Sequence, residues 1–425
     1  MKVTIFHPTA NANVRAIVNK LAEENNLYKF YTSIAVFPSN YLINLTHFFF
    51  FQELKRRTFS SSLKNYTKTS PWNEICRIVF SKIGMNSLVA PETGFFCIER
   101  VYQNLDFKVA NSLKKAKENG VTAVYAYEDG ALETFIKAKE LGLICIYDLP
   151  IAYWETGRKL MQEEAERLPN WAKTLGGGIL DSQVKLERKR RELELADIVI
   201  GPGKFVLNSL PEWSKDKIKI TSPFGSPLKN LRTALRDKPT TNVLRVLFVG
   251  SMGQRKGLGD LFEAMNQLKG IPVELVVLGS LLAPMEFYNS QLTDFTYEVG
   301  RSNEDVLKLM RTCDVFCLPS IVEGRALVMQ EAMSQGLPII ITPNTGGEDL
   351  VIEGETGFLI PIRSPEAIAK KIKWFVENRE QVSLMGKKAA KHAENYSWDN
   401  YSETIIKQLR SISKDIKTVS FTNNQ

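Results

Sequence analysis

Residues 245–269 read RVLFVGSMGQRKGLGDLFEAMNQLK. Arg245 to Val249 is a short β-branched and aromatic run, Gly250 to Gly257 is a glycine-bearing loop, and Leu258 to Lys269 places apolar residues at helical spacing. Strand, loop and helix in that order are the repeating unit of a parallel sheet covered by helices on both faces. The alternation continues with strand Val273 to Leu278, helix Asn303 to Arg311 and strand Asp314 to Leu318. A helix from about Ala326 to Gln335, stopped by Gly336 and Pro338, leads into strand Pro338 to Thr342.

Upstream, strands are expected at Lys2 to Phe6, Val121 to Tyr127, Leu143 to Tyr147, Asp197 to Ile200 and Ile218 to Thr221, with helices at Val14 to Asn25 and Ala131 to Leu141. Trp154 to Leu195, broken by Pro169 and Gly176-Gly177-Gly178, reads as two helices packed over this first unit. Pro223, Gly225, Pro227 and Pro239 mark a connection. Single cores stop growing at about 250–300 residues, and the chain has 425. The pattern therefore predicts an α/β protein of two Rossmann-like domains, residues 1–222 and 242–396, joined by a linker at 223–241. The polar tail after Ser411 is expected to fray.

With 44% hydrophobic and 24% charged residues, the composition excludes a disordered or fibrous chain. The net charge of +8 is not gathered into a basic tail, so phosphorylated metabolites or an anionic membrane surface suit it better than nucleic acid. Cys76, Cys97, Cys145, Cys313 and Cys317 are odd in number and mostly sit in apolar runs, which reads as reduced thiols in a cytoplasmic protein. Cys313 and Cys317 lack the neighbours a zinc site needs. No signal-peptide core follows Met1, and the apolar stretch Tyr41 to Phe51 is far short of the roughly 20 residues of a membrane span.

Three segments carry candidate chemistry, each at the C-terminal end of a strand, where open α/β sheets bind ligands. In Gly250-Ser251-Met252-Gly253-Gln254-Arg255-Lys256-Gly257, glycines such as Gly250 and Gly253 admit close backbone approach, while helix-start amides, Arg255 and Lys256 present positive charge to phosphate. The loop is neither a Walker A motif nor a dinucleotide fingerprint. A plain turn with two solvated cations fits it equally well. Glu323 in a loop and Glu331 on the following helix stand up to about 12 Å apart at 1.5 Å per residue. That span suits an extended ligand, one carboxylate on a sugar's hydroxyls and the other on a ribose diol. Glu331 falls on the helix side facing the core, where a carboxylate needs donors or must reach solvent. Gly346-Gly347-Glu348 offers amides to a phosphate, or is an ordinary strand-to-helix turn.

Taken together, Val246 to Tyr401 resembles the retaining glycosyltransferases of family four, which have the two-Rossmann GT-B architecture. The Lys256-Gly257 loop carries the resemblance, with Asp314-Val315-Phe316, Pro319-Ser320, the Glu323 and Glu331 pair, Gly336-Leu337-Pro338, Gly346-Gly347-Glu348, Gly354-Glu355-Thr356-Gly357-Phe358 and Tyr396-Ser397-Trp398. It implies two domains facing across a cleft, with a C-terminal helix, residues 397–412, crossing back to the first domain ahead of a flexible tail at 413–425. It also implies a nucleoside diphosphate sugar as donor substrate, with no cofactor and no metal. Lys256 would hold the diphosphate, Glu331 the ribose and Glu323 the donor sugar, with Gly347 and Glu348 against sugar and phosphates. Front-face transfer with retention follows from the resemblance, a covalent nucleophile, Asp148 or Glu323, remaining the alternative.

Two departures stand out. Ser251 occupies a position where the family often has arginine, and Tyr147-Asp148-Leu149-Pro150 stands where a first-domain histidine is common. Asp148 either takes that histidine's place against the donor sugar or caps a turn. His47-Phe48-Phe49-Phe50-Phe51 with Lys55-Arg56-Arg57 reads as a peripheral membrane patch receiving a lipid-linked acceptor, or as an aromatic core helix with a charged end. The expected function is a hexosyl transferase acting on a glycan or lipid-linked hydroxyl acceptor in surface polysaccharide or glycolipid assembly, in the cytoplasm or at the inner face of the plasma membrane. A noncatalytic nucleotide-sugar sensor or partner subunit is the alternative; a nicotinamide-dependent oxidoreductase lacks its fingerprint in both halves.

Overall fold

The computed structural model describes residues 1–38, 56–226 and 242–422, and contains two parallel sheets. The first comprises β1 (Val3–Phe6), β2 (Leu27–Thr32), β3 (Thr67–Thr69), β4 (Ala123–Tyr127), β5 (Ile144–Asp148), β6 (Ile198–Gly201) and β7 (Ile218–Thr221), in the order β3-β2-β1-β4-β5-β6-β7. The second comprises β8 (Leu244–Val249), β9 (Val273–Leu278), β10 (Thr296–Glu298), β11 (Val315–Leu318), β12 (Ile339–Ile341) and β13 (Gly357–Leu359), in the order β10-β9-β8-β11-β12-β13. Both are doubly wound about their first strand. The crevice where strand order reverses lies beside β1 in one sheet and β8 in the other.

Strands buried on both faces read as continuous apolar runs. Val-Phe-Cys-Leu of β11 and Ile-Ile-Ile of β12 are buried throughout, and the helix Leu258–Gln267 lays Leu258, Leu261, Phe262 and Met265 on that sheet. The sequence pattern does not announce β2, β3, β10 or β13. Three of these have only three residues, too few to display a period.

The segment between β5 and β6 behaves differently from its sequence reading. Helices Trp154–Arg167 and Gln183–Leu195 are present, but the stretch joining them belongs partly to the second unit. Trp171 enters the core of the second domain, with ring centroids 5.7 Å from Phe262 and 5.0 Å from Phe287. The aromatic niche there buries an indole that the first domain's surface would leave wet.

The C-terminal helix returns to the first domain as expected but runs from Trp398 to Thr422, past the residues expected to fray. Tyr401, Ile405, Ile406 and Leu409 join Val14, Ile17 and Leu21 of the helix Ala12–Glu23 in one core. Lys20 and Glu403 pair at 2.8 Å over the seam. Of the aromatic and basic segment at 47–57, residues 47–55 lie outside the described residues. Arg57 corrects part of that reading: it is buried, and its Nη2 donates to Glu74 at 2.7 Å, so it is an internal ion-pair partner and not a lipid-facing cation.

Candidate functional site in the interdomain cleft

The loop after β8 turns sharply because Gly257 adopts φ 73°, and a Cβ there would lie 2.0 Å from the Pro319 carbonyl oxygen. That close approach brings the loop against the one after β11, where the amide of Ile321 donates to Arg255 O at 3.0 Å. The side chains converge as well. Arg255 Nη1 donates to Glu323 Oε1 at 2.8 Å, and Lys256 Nζ forms an ion pair with the same oxygen. Burial lowers the Lys256 pKa from its ordinary value, with Glu323 opposing and Arg255 reinforcing the shift.

Thus three predicted site residues meet in one cluster. Two adjacent cations share one carboxylate, and an incoming diphosphate would offer them more negative charge than Glu323 does. The helix Leu327–Ser334 begins just beyond, placing Glu323 in the preceding loop as its spacing requires. Glu331 is outside the cluster: its Oε1 accepts from Asn303 Nδ2 at 2.9 Å, and burial raises its pKa against that hydrogen bond.

Gly346 and Gly347 form the turn after β12, tied to the helix start through Ala326 N and Thr345 O at 3.4 Å. Glu348 reaches the first domain, its Oε1 lying 3.1 Å from Lys204 Nζ. Arg325, not singled out by its sequence, holds this turn together. Its Nη1 donates to Gly346 O at 2.9 Å and Asp349 Oδ1 at 2.7 Å, and its Nε to Gln330 Oε1 at 3.0 Å. The available signal was a guanidinium placed next to a run as apolar as Ala326-Leu327-Val328-Met329.

Gln254 does similar work for the loop after β8. Its buried amide donates to Glu164 Oε2 at 2.8 Å and Asp260 Oδ2 at 2.9 Å, and its Oε1 accepts from Gly259 N at 2.9 Å. Burial would raise the Glu164 carboxyl, but hydrogen bonds from Arg167, Gln254 and Arg363 carry it below its usual range. Glu164 lies in the first domain's Trp154–Arg167 helix, so this network ties the loop across the cleft.

Asp148 is where the structure departs from expectation. It is 1% exposed at the end of β5, and its Oδ2 accepts from Tyr125 OH at 2.7 Å and Tyr401 OH at 3.3 Å. Burial pushes its pKa up to about 7 against the hydrogen bonds from Tyr125, Tyr401 and Tyr127. Its Oδ2 faces a tyrosine cluster under the C-terminal helix, while Oδ1 is buried without a hydrogen-bond partner.

Between the domains lies a cavity of about 430 Å³, with Ser251, Arg255 and Val322 on one side and Glu128, Trp154 and Lys189 on the other. The domains touch closely beside it: a Cβ on Gly324 would lie 1.7 Å from the Pro150 carbonyl oxygen.

Two doubly wound domains with a cationic loop facing a shared cleft define the GT-B architecture of glycosyltransferases. Residues 233–392 match the family of glycosyl transferases group 1. The chain is 26% identical to a D-inositol 3-phosphate glycosyltransferase of Paenarthrobacter aurescens over 55% of its own length and 63% of the relative's. It is 30% identical to the capsular polysaccharide biosynthesis glycosyltransferase CapM of Staphylococcus aureus over 37% of its own length and 42% of the relative's. The chain thus spans under two thirds of these curated relatives, 63% and 42%. Among solved structures, a sucrose-phosphate synthase from Thermosynechococcus elongatus superposes with TM-score 0.62 at 17% identity, covering 98% of this chain and 100% of that one. Anabaena HepE in complex with UDP superposes with TM-score 0.60 at 15% identity, covering 97% and 100%.

Proposed function

We propose that the protein is a retaining glycosyltransferase that moves a hexosyl group from a nucleoside diphosphate sugar to a hydroxyl acceptor in surface polysaccharide or glycolipid assembly. The observation that carries this reading is the convergence of Arg255 and Lys256 on Glu323, with Arg255 lining the interdomain cavity. The donor's diphosphate takes over the two cations, and Glu323, released from them, accepts hydrogen bonds from the donor sugar. Glu331 receives the ribose hydroxyls. Anabaena HepE, solved in complex with UDP-glucose, supports a nucleotide-sugar donor by likeness of fold.

In the transfer step the bond from the anomeric carbon to the diphosphate oxygen breaks while Lys256 and Arg255 stabilise the growing negative charge. The acceptor oxygen bonds to the same face of that carbon, and its proton passes to the departing diphosphate. No residue need become covalently bonded. The second-domain cluster would act from the cytoplasm, where the five free thiols stay reduced. Among the described residues no helix is long and apolar enough to cross a membrane, and a lipid-linked acceptor would be met at the bilayer surface.

A second reading, a noncatalytic nucleotide-sugar sensor, draws support from Ser251 in the loop after β8 and from the burial of Asp148 against Tyr125 and Tyr401. A thermal-shift screen of UDP-, GDP- and ADP-sugars, followed by turnover with the stabilising donor, separates the two. Tight binding without hydrolysis or transfer favours the sensor, and no response to any donor sinks both.

A further inference from the structure

The helix Trp154–Arg167 has one end in each domain. At its start the amide of Tyr153 donates to Ser209 Oγ at 2.7 Å and Thr156 Oγ1 donates to Ser209 O at 2.8 Å, both within the first domain. Its last turns hold the second domain. Arg363 Nη2 donates to Glu163 Oε2 at 2.8 Å while its Nε pairs with Glu164, and Arg167 Nη2 donates to Asp260 Oδ2 at 2.9 Å. Arg363 makes these bonds from φ 59°, a left-handed conformation that residues with a side chain rarely adopt, and such strain persists only where the surroundings fix it.

Glu164 is the centre of this contact. It is fully buried and accepts from Arg167, Arg363 and Gln254, the last at 2.8 Å. An apolar contact would join the two surfaces at least as well as a buried ion cluster. What the carboxylate adds is direction, here toward the side-chain amide of Gln254. Gln254 is held from a second side as well, its backbone amide donating to Thr174 Oγ1 at 3.0 Å in the turn Pro169–Thr174 that follows the helix. A Cβ on the neighbouring Gly253 would lie 2.3 Å from the Thr174 carbonyl oxygen, so the loop has no room to slide. Gln254–Lys256 is one tight helical turn, closed by the amide of Lys256 on Gly253 O at 3.0 Å and that of Gly257 on Gln254 O at 2.8 Å. A displacement of Gln254 is thereby a displacement of Lys256.

We propose that Glu164 is a positioning residue for nucleotide binding: through Gln254 it sets where Lys256 stands, so that the cationic loop of the second domain takes its shape from a first-domain helix. The assignment rests on residues 250–257 holding the donor's diphosphate. Thr174 supports the same loop through the backbone of Gln254. Glu164 acts along this chain of hydrogen bonds and not by contact with the nucleotide.

The test is equilibrium binding of UDP, GDP and ADP to the full chain, far below its melting transition, in wild type, Glu164→Gln, Lys256→Ala and the double variant. The nucleotide that binds wild type is expected to bind Glu164→Gln about tenfold more weakly. Lys256→Ala and the double variant should agree within about twofold, because both substitutions remove the same contact. A merely structural role would lower the melting temperature and leave the affinity of the folded protein unchanged. Equal affinity of wild type and Glu164→Gln, or a full tenfold further loss when Glu164→Gln is added to Lys256→Ala, overturns the proposal. Should Glu164→Gln fail to fold, Thr174→Val, alone and combined with Lys256→Ala, decides by the same criteria. Failure of all three nucleotides to bind wild type would instead remove the donor reading of the loop, and this proposal with it.

Discussion

Arg255 Nη1 and Glu323 Oε1 meet at 2.8 Å, joining the loop after β8 to the loop after β11 across the point where strand order reverses. Lys256 closes on the same oxygen. Two adjacent cations of one loop thus share a single carboxylate of the other.

Because Lys256 is largely buried, its ammonium would act on a bound diphosphate with little screening. Lys256→Ala is expected to weaken nucleoside diphosphate binding by about 1.5–3 kcal/mol, the range of a hydrogen bond to a charged group. Calorimetric titration of wild type and variant measures this, and equal affinities would contradict the assigned role.

Glu331 lies apart from the cation cluster, with Asn303 as its hydrogen-bond partner. If it binds ribose, Glu331→Ala weakens UDP or GDP binding about tenfold and leaves inorganic diphosphate binding unchanged. A parallel loss for both ligands would point to damage of the loop instead of a missing ribose contact.

Asp148 gives stability a definite pH dependence. Its folded pKa of about 7 stands above the ordinary 3.8, so between these values the native state holds more protons than the unfolded chain. This group's contribution is complete below about pH 4 and is lost as pH rises through about 7, amounting to a few kcal/mol at most. Glu192, raised by burial to about 8, acts in the same direction. Denaturant melts at pH 5 and pH 8 should show a smaller pH difference for Asp148→Asn than for wild type.

The C-terminal helix holds the first domain through a few apolar side chains. Ile405 is fully buried against the helix Ala12–Glu23, and Ile405→Ala should cost about 2–5 kcal/mol in unfolding free energy. Chemical denaturation reads this directly; a change under about 0.5 kcal/mol, the size of an ordinary surface substitution, would mean that the helix is not part of that core.

The winding of the second domain was readable because its longer strands are short apolar runs punctuated by glycines, as from Val246 through Gly250 and Gly257. The location of Glu323 ahead of a helix and Glu331 on it followed from the same punctuation. What escaped was long-range pairing. Asp148 reads locally as a turn residue before Leu149-Pro150, and only the folded chain brings it Tyr401, 253 residues on. Likewise nothing near Trp171 in sequence shows that its ring completes the other domain's core.

The most direct test of the donor site is a crystal structure with the nucleoside diphosphate sugar that best stabilises the protein. The account predicts the diphosphate against Lys256 and Arg255, the ribose at Glu331, and Glu323 turned from its cations to the sugar. A nucleotide bound elsewhere, with Arg255 and Lys256 still paired to Glu323, would contradict it.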